Sequence, residues 1–132
     1  CRFFADGDSF RFLGGLHISQ IIDKAELLEM NPGDEIVVRD EQYAYYVLSG
    51  SPLIMTKSGS QSNFLKHELI GNMFSNDNIM LDRIVATDEA KLFKINLNDV
   101  FDVLTNYKVQ ANRIINTASK NLQNHFYQNT KH

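Results

Sequence analysis

The chain has one cysteine, Cys1, in 132 residues. It can therefore build neither an internal disulfide nor a multi-cysteine zinc site, and it suits a reducing compartment. No apolar run approaches the roughly 18 residues of a membrane span, and no signal-peptide core is present. A cytoplasmic location without membrane contact is the expectation. Blocks of like charge are missing too: 13 basic and 16 acidic residues are interspersed, for a net charge of −3. With no basic arm or polybasic patch, this stretch is not expected to contact nucleic acid itself. The chain opens on Cys1 rather than Met, so the expectation is a piece of a longer polypeptide whose output lies outside it.

Several kinds of chemistry are missing as well. The four histidines, His17, His67, His125 and His132, include no H-x-H pair, which argues against a metal-binding cupin and leaves no metal site expected. His67, beside Glu68 at a strand end, is expected to be exposed. His67 and Cys1 are the residues that a haem-sensing variant would have to use. There is no G-x-S-x-G turn, P-loop or G-x-G-x-x-G, and the serines fall mostly in turns and polar stretches. Asp77, Asp82 and Asp88 are explained by a solvated loop without acid–base work. The chain is therefore expected not to be an enzyme.

What is present suits one domain with its own core: 43% of the residues are hydrophobic. Residues 1–24 form an N-terminal segment with Phe3, Phe4, Phe10, Phe12 and Gly14-Gly15, aromatics that would pack on a domain face or a partner. A short helix is expected at about residues 19–24, with Ser19 as a possible cap. Residues 25–96 change to short β-type runs. Expected strands are Glu26–Met30, Glu35–Val38, Tyr43–Ser49, Leu53–Lys57, Ser62–Leu65, Ile84–Ala86 and Lys91–Ile95. Turns are expected at Asn31-Pro32-Gly33-Asp34, Gly50 and Ser58-Gly59-Ser60. The stretch 71–83 lacks period-2 alternation and is too long for a hairpin, which marks it as a functional loop or lid.

Residues 97–132 are expected to be helical. Asn98 or Asn96 caps a first helix bearing Val100, Phe101, Val103 and Leu104. From about Lys108 a longer helix carries Ala111, Ile114, Ile115, Ala118, Leu122, His125 and Phe126 on one stripe. That stripe packs either on its own β-roll or on the same helix of a second chain. The helix's length and the narrowness of its stripe favour pairing of at least its C-terminal half, with Ala111, Ile115, Ala118, Leu122 and Phe126 as the dimerisation residues.

Pro32-Gly33-Asp34-Glu35-Ile36, Tyr45-Tyr46-Val47-Leu48-Ser49-Gly50, Glu68-Leu69-Ile70-Gly71, and Ile84-Val85-Ala86 followed by Leu92 and Ile95, resemble in order and spacing the cyclic-nucleotide-binding domain family, over about residues 18–126. The family includes the catabolite activator protein and the regulatory subunits of cyclic-nucleotide-dependent kinases. The resemblance implies a mainly β fold, a β-roll or jelly roll closed by C-terminal helices. It also implies a phosphate-binding cassette in the loop after Gly71. In the family a glycine lets the backbone approach the ligand, a helix N-terminus and an arginine hold the cyclic phosphate, and a glutamate accepts from the ribose.

Here the cassette departs from that pattern. Asn72 stands where the ribose-binding glutamate belongs, Met80 where the phosphate arginine belongs, and Asp82 where a small residue lies. Arg83 takes the place of a small hydroxyl residue, and Phe74 that of a small residue near the ligand. Candidate ligand-binding residues are thus Gly71, Asn72, Met73, Phe74, Met80, Leu81 and Arg83. Arg83 would either swing into the missing arginine's role, with Asn72 on the ribose, or pair with Asp82, Asp77 or Asp88. No cofactor is expected, with a cyclic nucleotide as the open alternative.

The function expected is a non-catalytic regulatory or sensor domain of a larger signalling protein, with altered or lost nucleotide binding. It would be a homodimer coupled through its C-terminal helix to an output domain of the same polypeptide. A transcription regulator is one expected parent; a kinase, channel or signalling enzyme are others. The alternatives are a purely structural interaction or dimerisation domain without a small ligand, and a cryptic jelly-roll enzyme.

Overall fold

The computed structural model describes residues 15–75 and 79–126, with side chains from residue 19. The aromatics Phe3 to Phe12, Cys1, Asp77 and His132 lie outside the described residues. A first helix, α1 (Gly15–Asp23), precedes eight strands: β1 (Glu26–Met30), β2 (Glu35–Val37), β3 (Tyr43–Ser49), β4 (Leu53–Thr56), β5 (Gln61–Asn63), β6 (Leu69–Ile70), β7 (Leu81–Val85) and β8 (Ala90–Asn96). Two helices follow, α2 (Leu97–Val103) and α3 (Lys108–Phe126). The strands form two four-stranded antiparallel sheets, ordered β1-β8-β3-β6 and β2-β7-β4-β5. Residues of both sheets share one core with Ile21 of α1, Leu97 and Val100 of α2, and Ile114, Ala118, Leu122 and Phe126 of α3. Among the described residues no helix is long and apolar enough to cross a membrane.

Local chemistry explains the elements. Pro32 and Gly33 sit at the centre of the β1–β2 turn, where Gly33 takes φ +95°. Asp34 closes that turn, its Oδ2 accepting from Asn31 N–H at 2.8 Å. The β4–β5 hairpin turns at Ser58 and Gly59, with Thr56 Oγ1 accepting from Ser60 N–H at 3.0 Å. β3 lies between β8 and β6, and Ala44, Tyr45, Tyr46 and Val47 are all buried. Burial on both faces accounts for its continuous apolar run. It also pushes the Tyr45 phenol above its ordinary range, reinforced by the charges of Asp40 and Glu26 and by Tyr43.

Several boundaries differ from expectation, and the structure decides between the two expected caps of α2. β5 covers Gln61–Asn63 instead of Ser62–Leu65, and β6 is a strand where none was expected. α1 begins at Gly15, four residues before the expected start, because Ser19 is tolerated inside a helix and does not cap it. Asn96, not Asn98, caps α2: its Oδ1 accepts from Asn98 N–H at 3.0 Å. β7 begins at Leu81 rather than Ile84, so the last three residues of the expected loop, Leu81 to Arg83, are strand. Its pairing with β4 shifts register, with Met55 facing Arg83 but Thr56 facing Leu81. Asp82 is the extra residue of that bulge. Leu81 and Ile84, three apart, can then both be buried, which erases the alternation that would have betrayed the strand.

Gly50 ends β3 at φ +79°, and a Cβ there would lie 2.5 Å from the Glu89 carbonyl oxygen. Gly59 has φ +98° but open space around it. Gly50→Ala should cost about 2 kcal/mol or more, and Gly59→Ala about 1 kcal/mol, in denaturant unfolding. Equal costs would show that the β3 end relaxes away from Glu89.

Candidate functional site

The cassette begins where β6 ends. Gly71 is extended at φ −175°, and residues Asn72–Phe74 make one turn of 3-10 helix. Phe74 N–H donates to Gly71 O at 3.2 Å, and Ser75 Oγ donates to Asn72 O at 2.7 Å. The ring of Phe74 is buried, and a Cβ on Gly71 would lie 3.3 Å from it and 3.3 Å from the Ala44 methyl. The missing side chain at Gly71 therefore makes room for an aromatic ring of the same chain.

Asn72 is also buried and points inward. Its Oδ1 accepts from Leu81 N–H at 2.8 Å, and its Nδ2 donates to Leu81 O at 3.4 Å. The side chain thus pairs with the first residue of β7 as a backbone amide would, and it ties the two ends of the loop together. Leu81 is fully buried. Met73 and Met80, by contrast, are 36% and 44% exposed.

Arg83 projects outward from β7. Its Nε donates to Asp82 Oδ2 at 3.0 Å and its Nη1 to Glu35 Oε1 at 2.9 Å. Of the expected carboxylate partners Asp82 is found, and Glu35, on the neighbouring strand β2, was not foreseen. These hydrogen bonds raise the guanidinium pKa. Gly71, Asn72, Phe74 and Leu81 come together as one closed unit, while Arg83 is engaged on an outer face. The surface includes clefts of about 500 Å³, lined by Gln20, Asp23, Lys24, Asp102 and Val103, and of about 350 Å³ around Ser49, Gly50 and Lys91. Neither is lined by a cassette residue.

α3 packs on the cassette turn, β5 and β6. Ala118, Leu122 and Phe126, expected on a dimer seam, are instead buried within the chain itself, as is Ile114. Ala111 and Ile115 are only partly buried. The stripe is narrow because the surface that it covers is narrow, two short strands and one turn. Three further residues meet here that the sequence did not single out together. His125 Nδ1 lies 2.7 Å from Ser62 Oγ and its Nε2 lies 2.9 Å from Glu68 Oε1. No motif could have shown this, since the three come from separate elements. His67, expected to be exposed, is half-buried and stacked on Tyr46 at 5.9 Å between ring centres. Among the described residues no group of three or more metal-ligating side chains is gathered.

This arrangement of two sheets, a cassette turn after β6 and terminal helices is the fold of cyclic-nucleotide-binding domains. Three solved structures illustrate the likeness. The sensor domain of the transcriptional regulator DNR from Pseudomonas aeruginosa matches with a TM-score of 0.63 and 17% identity, over 89% of this chain and 84% of that one. The N-terminal domain of a transcriptional regulator from Streptomyces coelicolor A3(2) matches at 0.58 and 18%, over 89% of each. The Thermus thermophilus catabolite activator protein matches at 0.64 and 18%, over 89% of this chain and 59% of that one. No protein-family model matches the sequence. No curated protein sequence matches it at a significant level.

Asn72→Ala removes both hydrogen bonds to Leu81 and leaves a buried N–H without its partner. It should destabilise the domain by about 1–3 kcal/mol in denaturant unfolding. Asn72→Leu, which cannot bond either group, should cost at least as much. If either is neutral, the loop is closed by packing alone.

Proposed function

We propose that this chain is a non-catalytic regulatory domain of a larger protein, whose cassette is closed on its own side chains instead of being held open for a cyclic nucleotide. The observation that carries this reading is the bonding of Asn72 to Leu81 beneath a buried Phe74. A glutamate in place of Asn72 would be free to accept from a ribose; this amide has both of its polar atoms engaged. Met80, at the family's arginine position, offers no charge for a phosphate. A charged hydrogen bond contributes about 1.5–3 kcal/mol. Losing the arginine and the glutamate together would therefore weaken nucleotide binding by roughly two to four orders of magnitude.

The regulatory part of the reading rests on the fold and on α3. Each structure named above is a transcriptional regulator, an activator protein, or a domain of one. α3 packs directly on the cassette turn, so its position depends on the state of that turn. In this reading the domain shifts between two packings, and the helix carries the difference to an output domain of the same polypeptide. The expected result of calorimetric titration with cyclic AMP, cyclic GMP or a cyclic dinucleotide is no heat at millimolar ligand. Micromolar binding that is lost in Arg83→Ala would replace this reading with that of a nucleotide sensor using a relocated arginine.

A second reading, an interaction domain that pairs with its own copy, draws on the start of α3. Tyr107 and Val109 are 43% and 60% exposed, and Ala111 and Ile115 are only partly covered. Pairing would then use the first half of α3. Sedimentation should show a concentration-dependent dimer that Val109→Glu dissociates. A monomer at every concentration would leave the regulatory reading without self-association.

A further inference from the structure

His125 stands where three parts of the fold meet. Ser62 belongs to β5, an edge of one sheet, and Glu68 leads into β6, an edge of the other. His125 lies in the last turn of α3. A carboxylate only accepts, so Nε2 donates to Glu68, while Nδ1 shares a hydrogen bond with the Ser62 hydroxyl. One face of the imidazole is covered by Phe64, with ring centres 3.9 Å apart and planes 12° from parallel. Glu68 is itself held: its Oε1 also accepts from Leu65 N–H at 2.7 Å, closing the turn in which His67 has φ 75°.

We propose that His125 is the latch of a releasable lid, fixing the last turns of α3 across the gap between β5 and β6 and over the cassette turn. This rests on the reading that α3 reports the state of the roll. Two features make the contact a latch and not simply part of the core. It is polar and lies at the margin, the His125 and Glu68 side chains being 14% and 11% exposed, so water can compete for it. It is also directional: an apolar stripe tolerates a small slide along its groove, whereas two hydrogen bonds from one ring fix the register. The surface beneath is built of small pieces, a three-residue strand, a two-residue strand and a three-residue turn. Helix segments packed on such short pieces are the ones from which local opening is expected before the central strands.

Hydrogen exchange resolved by residue tests this. His125→Phe keeps a ring against Phe64 but loses both hydrogen bonds. It should raise exchange roughly 5- to 100-fold in residues 114–122 and in the cassette turn, with β3 and β8 unchanged. Ser62→Ala, which disturbs no packing, should give a smaller rise confined to the same residues. Unchanged exchange in α3 for both variants would overturn the latch, as would an equal rise in β3 and β8. Nucleotide binding by the unmutated protein would overturn the function proposed above and leave the exchange result standing; the reverse pattern would overturn the latch alone.

Discussion

A sheet edge presents unpaired N–H and C=O groups and has to be shortened, covered or paired. The two sheets of this domain are both edged by short strands, β5 of three residues and β6 of two, and α3 lies over both. Much of the domain depends on that cover. Phe64, between β5 and β6, is fully buried. Ile114, Leu122 and Phe126 find their apolar surroundings here, each contributing about 1.5–3 kcal/mol when buried. The cassette turn is under the same helix. Covering these edges places Ala118, Leu122 and Phe126 inside the chain, while Ala111 and Ile115 stay only partly buried.

The cassette follows the same logic at smaller scale. In the resembling family the loop after the glycine is an open cradle completed by a ligand. Here most of the departures from that pattern have an internal use, the exposed Met80 excepted. An asparagine carries both a donor and an acceptor on a short stem, so Asn72 can meet the N–H and the carbonyl of Leu81 at once; a glutamate, acceptor only, could not. Phe74 occupies the space that Gly71 leaves open. Asp82 and Arg83, which look out of place in a ligand loop, are the outer residues of a bulged strand and bond to each other. Gly71, Asn72 and Phe74 thus act as one set that ties the turn to β7 and fills the space beside it.

Much of this was legible in the residues, and the failures are instructive. β1 and β3 were placed at their observed ends because Gly50 and the Asn31–Asp34 turn mark them sharply. The first residues of β7 do not read as strand because a bulge shifts the side-chain period in the middle of it, and no local signal announces the bulge. Gly71, Asn72, Phe74 and Leu81 were singled out together, but as residues facing a ligand. Ser62, His125 and Glu68 were not seen as a group, since 57 or more residues separate His125 from each of the others.

The sequence by itself determined the class of fold and the place of the turn that follows Gly71. Those follow from local chemistry: turn residues with a required backbone geometry, apolar runs of strand length, and a helical period near the C-terminus. Only the tertiary structure decided what the cassette and the last helix face. An amide side chain bonds equally well to a ribose or to a backbone, and an apolar stripe packs equally well on a sheet edge or on another helix. The choice depends on which group arrives at hydrogen-bond or van der Waals distance, and that is fixed when β6, β7 and α3 are brought together in space.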